Sequence, residues 1–169
     1  GNALRTSFDL LRASECFLAA MERSPPNTET WAMAVNQAWD TRRHAAPCDS
    51  RDIFCDCELC ATLPEKPEWM RSPEAAVAMA ERVVAAAPEY PEAWRMHALA
   101  HSGIGDLPTA SKSCMKAAKL YGDSGHATSQ ATMLRIAKSA HEKAEAVAKA
   151  AAEAEAARMA PIMAAREAA

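Results

Sequence analysis

The chain has few aromatic residues, little net charge and no long apolar run, and each absence excludes a class of protein. Aromatic residues make up 5% of the 169 residues while half are hydrophobic. The core must therefore be modest, single and built largely from alanine and methionine. No run reaches the roughly 18 apolar residues that a membrane-spanning helix needs. A formal net charge of −3 and one short basic cluster, residues 42–44, argue against nucleic-acid or anionic-membrane binding.

Sequence motifs for catalysis are also missing. The chain contains neither an HExxH pattern nor a glycine loop that could cradle phosphate. His97 and His101 stand one helical turn apart and could chelate a metal or act as acid and base, but His101 falls where a core aromatic is expected, so packing is favoured. A cysteine nucleophile would need a base, and His44 is the histidine close in sequence to the four cysteines between residues 48 and 60. We therefore expect a protein that is not an enzyme, with no catalytic residues.

The chain begins at Gly1 rather than at methionine. That start is compatible with removal of a transit peptide, which would place the protein inside an organelle, in a stroma, lumen or matrix. The cytoplasm is the alternative compartment, and the sequence does not decide between them.

Apolar periodicity and capping residues predict an all-α fold. The expected helices span residues 7–22, 73–86, 91–102, 107–121 and 127–160. A further helix, which Thr28 or Thr30 can cap, ends near Arg42 and Arg43. Ser72 is a plausible N-cap with Pro73 at the first helical position. Gly122 is a candidate C-cap, and Pro161 is expected to end or kink the last helix. That last helix carries small residues at alternating spacings of four and three, which suits close packing of helices: Met133, Ala137, Ala140, Ala144, Val147, Ala151 and Ala154.

Two junctions repeat the same pattern. In each, a proline is followed six residues later by tryptophan, as in Pro25–Trp31 and Pro88–Trp94, and an acidic residue stands two positions before the tryptophan. The two junctions lie 63 residues apart. Recurrence of one local pattern at a long interval is typical of helical-repeat proteins.

The residues around these junctions resemble the tetratricopeptide repeat, a 34-residue helical hairpin. The helix B pattern is matched by Ala13, Phe17, Ala20 and Pro25, and more loosely by Ala76, Ala80, Val83 and Pro88. The helix A pattern is matched by Trp31, Ala34, Val35 and Ala38, and by Trp94, Ala98 and His101. The last unit is completed by Gly105, Asp106, Ala110, Cys114 and Ala117. The resemblance covers residues 7–43 and 73–122, and the first unit lacks its helix A.

This resemblance implies a stack of antiparallel helical hairpins, an α-solenoid, over residues 1–124. Residues 125–169 would form a long alanine-rich helix or tail. The 63-residue interval equals one 34-residue unit plus 29 residues, so residues 44–72 are interpreted as an irregular, cysteine-rich insert within the middle repeat. A loop of that length is uncommon unless it is functional or tied down.

Four of the six cysteines lie in this insert: Cys48, Cys55, Cys57 and Cys60. Four thiolates could hold a structural zinc ion, with His44 able to replace one of them. One or two disulfides, free thiols or an iron–sulfur cluster are the alternatives. Cys16 and Cys114 fall on helices at core-like positions, and we expect both to be buried free thiols.

Stacked hairpins of this kind leave a face that binds partners. The resemblance assigns the following residues to a mostly apolar partner groove: Met33, Asn36, Trp39, Arg95, Met96, Leu99, Gln130 and Met133. The expected function is a non-catalytic interaction scaffold, an accessory subunit of a larger complex, which is organellar if a transit peptide has been removed. Its expected partners are other proteins and not nucleic acid. It would not span a membrane, although it could sit at the edge of a membrane complex. The alternatives are a zinc or redox module centred on residues 48–60, and a regulatory fragment of a larger enzyme.

Overall fold

The computed structural model describes residues 2–45, 60 and 65–167, with side-chain burial given from residue 9 to residue 160 of those ranges. All regular structure in them is helical, which confirms the predicted all-α class. The α-helices whose bounds lie within the described residues are α1 Asn2–Arg23, α2 Glu29–Ala45, α3 Pro73–Ala86, α4 Pro91–Gly103, α5 Leu107–Asp123 and α6 Ala127–Glu167, with a 3-10 turn at Glu68–Met70. Each helix from α1 to α6 contacts the next one described, and α2 also contacts α4.

Side-chain caps fix where three helices begin. The hydroxyl of Thr28 accepts the Trp31 backbone N–H at 3.3 Å, and Ser72 accepts that of Ala75 at 3.2 Å. Asp106 accepts the Thr109 backbone N–H at 3.2 Å. Each bond satisfies a backbone donor that the helix itself leaves without a partner. The predicted cap at Ser72 is confirmed.

Two helices end in the same type of turn. Asp106 N–H bonds to the carbonyl of His101, and His126 N–H bonds to that of Tyr121. The residue before each donor is a glycine at positive φ, Gly105 at 78° and Gly125 at 77°. This is the Schellman arrangement, in which glycine adopts the left-handed conformation at no steric cost.

The prediction that Gly122 ends α5 is wrong. The helix runs on to Asp123, and Gly125 supplies the left-handed residue. Gly122 instead allows α6 to approach, since a Cβ at that position would stand 2.5 Å from the side-chain nitrogen of Gln130.

The main core lies between α2, α3 and α4. Its largest fully buried apolar side chains are Trp39, Met70, Met96, Val35 and Val83. Alanines fill the remaining positions where helices meet, as the composition predicts. A smaller cluster continues between α5 and α6 around Ala117, Tyr121 and Met133.

The small-residue stripe of α6 is covered over only part of its length. Met133, Ala137 and Ala140 are buried, whereas Val147 is 64% exposed. Every residue from 145 to 160 is exposed. The body of the protein therefore uses the first turns of α6, and the helix continues beyond that contact.

Pro161 is expected from the sequence to end or kink the last helix; it does not end it, because α6 continues to Glu167, and the kink stays a prediction. Proline removes one hydrogen bond from the helical ladder, and its ring crowds the preceding turn. The neighbouring residues are alanine, isoleucine and methionine, of which alanine and methionine are strong helix formers that favour continuation.

The two helical cysteines differ from each other. Cys114 is buried, and burial raises the pKa of its thiol to about 11, so it stays protonated and unreactive. Cys16 is exposed, which corrects the expectation that it is buried. The reason is its register, because the buried positions of α1 are Leu11 and Ser14. Ser14 donates a hydrogen bond to the Ala38 carbonyl at 3.2 Å.

Within the described ranges, no helix combines the length and the apolar character needed to cross a membrane.

Candidate functional site

The cysteine-rich insert is described only at its edges. Cys48, Cys55 and Cys57 lie outside the described residues, so the zinc, disulfide and thiol interpretations remain predictions. Cys60 is buried at 7% exposure, and it is close enough to the Arg42 guanidinium to interact with it electrostatically. Across the part of the chain that the structure describes, no group of three or more histidine, cysteine or acidic residues is placed to hold a metal.

The chain leaving the insert is fixed to the core. The indole of Trp69 stacks on that of Trp39, with ring centroids 6.2 Å apart and planes 17° from parallel. Met70, next along the chain, has no exposed surface. Residues 44–72 therefore begin at the C-terminus of α2 and return onto the same helix.

The residues predicted to line an apolar groove do not share one surface. Asn36, Trp39 and Met96 are fully or almost fully buried, and Met133 is 5% exposed. They belong to the core because the small alanines around them let the helices approach closely. Met33 is 42% exposed.

The remaining three groove residues have different surroundings. Leu99 is partly buried against the main core, Gln130 lies beside Gly122, and Arg95 pairs with Asp40. Arg95 and Met133 are the two predicted groove residues that line the cavity described next.

A polar cleft of about 410 Å³ opens between α2, α4 and the start of α6. Its lining residues are Gln37, Asp40, Arg43, His44, Glu92, Arg95, Tyr121, Thr128, Ser129, Thr132 and Met133. That volume lies within the range of small-ligand and peptide side-chain sites. The cleft is thus charged and hydroxyl-rich, where the sequence predicts an apolar surface.

One carboxylate oxygen organises the positive charges in the cleft. Oδ1 of Asp40 lies 2.9 Å from Nη2 of Arg95, 3.4 Å from Nη2 of Arg43 and 3.7 Å from Nδ1 of His44. Burial alone would raise the pKa of Asp40, but Arg95, Arg43 and His44 together lower it below its usual value. Asp40 therefore stays ionised and pairs with both arginines, while Nδ1 of His44 lies beyond hydrogen-bond distance from Oδ1.

The opposite wall of the cleft holds a second polar pair. The Tyr121 hydroxyl interacts with both Arg95 and the Glu92 carboxylate. Burial, with Glu92 alongside, raises the pKa of Tyr121 to about 12. Burial would lower the pKa of Arg95, but Asp40 and Tyr121 raise it. Arg95 is thus fixed as a structural cation between two helices.

Sequence reasoning missed Arg43, Gln37, Glu92 and Tyr121 as members of this cleft. A signal for part of it was present, since Asp40, Arg43 and His44 are spaced as i, i+3 and i+4 on one helix and must share a face. The contribution of Tyr121 depends on how α5 and α6 pack and has no local signature.

A second polar cluster joins α4 to α5. The rings of His97 and His101 pack against each other, with centroids 4.3 Å apart and planes tilted by 36°. Nδ1 of His97 is 2.8 Å from the Ser113 hydroxyl oxygen, and that hydroxyl donates to the Thr109 carbonyl at 2.8 Å. The Ser113 hydroxyl has a single hydrogen, so His97 must carry the proton on Nδ1 and donate it. Ser113 is 3% exposed, which favours packing over a nucleophilic role.

A positive charge on the His97 ring is unfavourable. Burial is the main cause of its lowered pKa, and His101 lowers it further, while Glu81 and Asp106 oppose the shift. Nδ1 of His101 is 3.1 Å from the Asp106 carboxylate, and its Nε2 is buried without a hydrogen bond in the described part of the chain. The pair therefore tolerates one positive charge better than two.

We expect the free energy of unfolding to fall as the pH drops below about 6.5. The pKa of His97 is lower in the folded than in the unfolded chain. Its stabilising contribution is therefore complete above the unfolded value and is lost as the pH falls towards the folded value. Urea unfolding at about pH 8 and about pH 5 measures the difference. His97→Gln should reduce this pH dependence, whereas His141→Gln, at an exposed position of α6, should leave it unchanged. If the free energy of unfolding changes with pH equally in the wild type and in His97→Gln, the lowered pKa of His97 is not its cause.

Comparison with known proteins adds no relationship. No protein-family model, no curated protein and no solved structure matches the chain.

Proposed function

We propose that this chain is a non-catalytic interaction scaffold, an accessory subunit that joins other proteins in a larger assembly inside an organelle or the cytoplasm. The observation that carries the proposal is the far part of α6. Residues 145–160 are exposed on every side of the helix. At 1.5 Å per residue, this segment is about 24 Å long.

A helix without tertiary contacts is difficult to explain by the stability of the monomer alone. Helical segments in proteins gain most of their stability from packing, and isolated ones of this length are marginal in water. The ion pairs Lys149–Glu153 and Glu155–Arg158 give limited support at exposed positions. A helix that is exposed on all sides is typical of one that bridges between bodies.

The apolar residues of this segment support docking. Val147 is 64% exposed and Met159 is 37% exposed. Val147 also continues the stripe of small residues whose first members, Ala137 and Ala140, are buried near α5. Ser111 of α5 donates to the Ala137 carbonyl at 2.9 Å. A partner helix with small residues could approach the remainder of the stripe equally closely.

We also propose that α1 to α5 are tetratricopeptide-like hairpins, with residues 44–72 as an insert in the middle unit. In support, Trp31 and Trp94 occupy the first turns of α2 and α4. The Trp94 indole N–H donates to the Pro88 carbonyl at 2.7 Å. In this junction, the side chain of the tryptophan is therefore hydrogen-bonded to the proline that precedes it by six residues.

Truncation tests the scaffold proposal. A chain that ends after Ala144 lacks residues 145–169, of which residues 145–160 have no buried side chain. It should fold with the same thermal midpoint, but it should lose its partner proteins in affinity capture from the native source. Replacing Arg71, outside the segment, with glutamine gives a control that should retain them. Equal recovery of the same partners by the truncated and full chains would refute a role for the helix.

A metal or redox module centred on Cys48–Cys60 is the second candidate. The observation that favours it is Cys60, which is buried near the positively charged Arg42. Cysteine is a common ligand of structural zinc, and Cys60 is the residue of this cluster that the structure describes. Elemental analysis of the purified chain, combined with replacement of Cys57 and Cys60 by serine, tests it. Zinc at about one equivalent that the replacement removes would support the module, and less than about half an equivalent would argue against a metal site.

A further inference from the structure

In the cleft between α2, α4 and α6, the guanidinium of Arg43 has no carboxylate in the described part of the chain that pairs with it alone. Arg95 takes Oδ1 of Asp40 at 2.9 Å, which leaves Arg43 at 3.4 Å from the same atom. Glu92 is engaged by the Tyr121 hydroxyl. The side chain of Arg43 is 22% exposed, so it is partly enclosed while still facing the cleft.

The N–H groups of the Arg43 guanidinium make few hydrogen bonds, and those they make are long. The guanidinium carries five N–H groups, and the described contacts involve Nη2, at 3.4 Å from Asp40 and 3.4 Å from Nε2 of His44. Its Nε is buried and makes no hydrogen bond within the described residues. A buried donor without an acceptor costs free energy, and the long Nη2 contacts let the guanidinium turn at little cost.

His44 leaves this guanidinium available. Nδ1 of His44 is 2.8 Å from the Asp40 backbone carbonyl, so Nδ1 must carry the proton and donate. In the neutral ring, Nε2 can then only accept, and the group facing it is Arg43. The contact between Nε2 and Nη2 of Arg43 is long, at 3.4 Å, so an incoming carboxylate can replace His44 as the acceptor.

The opposite side of the cleft offers further donors. Thr128, Ser129 and Thr132 line it from the first two turns of α6. The Thr132 hydroxyl is occupied, since it donates to the Thr128 carbonyl at 2.9 Å. Thr128 and Ser129 also line the cleft, so their hydroxyls are available as donors to a ligand bound there.

We propose that this cleft binds a carboxylate, held by the fork of Arg43 and by the hydroxyls of Thr128 and Ser129. Arginine binds carboxylates through two parallel hydrogen bonds, which gives both strength and orientation. A phosphate is disfavoured because it carries both negative charges on one group, next to Asp40 and Glu92 in the same cavity, whereas a dicarboxylate can place its second charge outside the cleft. The ligand is an acidic side chain of a partner protein or a free small dicarboxylate. The first source rests on the proposed scaffold function, and the second does not.

Titration of the full chain with chemically defined probes tests the site. The probes are glutarate, a capped peptide of alternating alanine and glutamate, the same peptide with glutamine, and inorganic phosphate, all at constant ionic strength. Arginine Nε–H and backbone amide signals in NMR report binding. We expect saturable shifts at Arg43, Thr128 and Ser129 with a carboxylate probe, and weaker ones with phosphate or the glutamine peptide.

Variants establish that the fork of Arg43 is responsible. Arg43→Gln should weaken carboxylate binding about tenfold or more, and Arg43→Lys should restore only part of it, because lysine keeps the charge without the fork. Lys112→Gln, which removes one positive charge from an exposed position outside the cleft, should change the affinity by less than about twofold. A thermal midpoint for each variant separates loss of binding from loss of folding.

The outcomes separate the two sources. Peptide binding much tighter than glutarate supports a protein ligand, and comparable binding supports the site while leaving the scaffold proposal to its own truncation test. The proposal is overturned if neither carboxylate probe produces saturable shifts that depend on Arg43, or if phosphate binds more tightly than both.

Discussion

Trp39→Ala is expected to lower the free energy of unfolding by about 3–5 kcal/mol, the range for truncation of a large buried aromatic. Trp39 is 1% exposed at the centre of the main core. The change removes packing against α3 and α4, and it also removes the surface on which Trp69 stacks. The loss is a large fraction of the stability of a small domain.

Urea unfolding followed by circular dichroism measures this effect. Trp39→Phe should cost clearly less, because the smaller ring still fills part of the space. Met33→Ala is the matched control on the same helix, at a position that is 42% exposed, and should cost less than about 1 kcal/mol. A Trp39→Ala chain as stable as Met33→Ala would show that Trp39 is not in the core.

Asp40→Asn is expected to have the second-largest effect, a loss of about 2 kcal/mol. The substitution removes the negative charge from Oδ1, which lies 2.9 Å from Arg95 and is shared with Arg43. Arg95 would then be held between helices without its carboxylate, since its side chain is only 15% exposed. The penalty of the unpaired charge is larger than the net value of the original pair.

The contribution of Asp40 also has a defined pH dependence. The pKa of Asp40 is lower in the folded than in the unfolded chain, so its contribution is complete above about pH 3.8 and is lost as the pH falls towards the folded value. The difference in stability between wild type and Asp40→Asn should therefore be constant near neutrality and shrink below that pH. Asp123→Asn, which breaks an exposed pair with Lys119, should cost less than about 1 kcal/mol at any pH. Similar losses for the two variants would contradict the role of Asp40 in the cleft.

Helix positions could be predicted from the sequence because their signals are local. Ser72 followed by Pro73, and the Thr28 cap, lie within a few residues of the helix starts that they determine. The two errors at helix ends have physical reasons. Gly122 is needed for the approach of Gln130 rather than for a turn, and Pro161 removes too little to stop a helix of strong helix formers.

The cleft could be predicted only in part. Asp40, Arg43 and His44 share one helical face by their spacing alone. Whether that face is open or covered depends on how α4 and α6 pack against it, and this is set by alanine contacts that carry little sequence signal. The packing of the helices also decides whether Asn36, Trp39 and Met96 line a groove, as the sequence predicts, or lie in the core, as the structure shows.

The apparent mass of the natural protein in a gentle extract of its own source tests the scaffold function most directly. The chain itself has a mass of 18.1 kDa. We expect it to elute from size-exclusion chromatography in an assembly several times larger, and to shift to a smaller size when the chain ends after Ala144. Elution of the full chain as a monomer at its natural abundance would contradict the scaffold function.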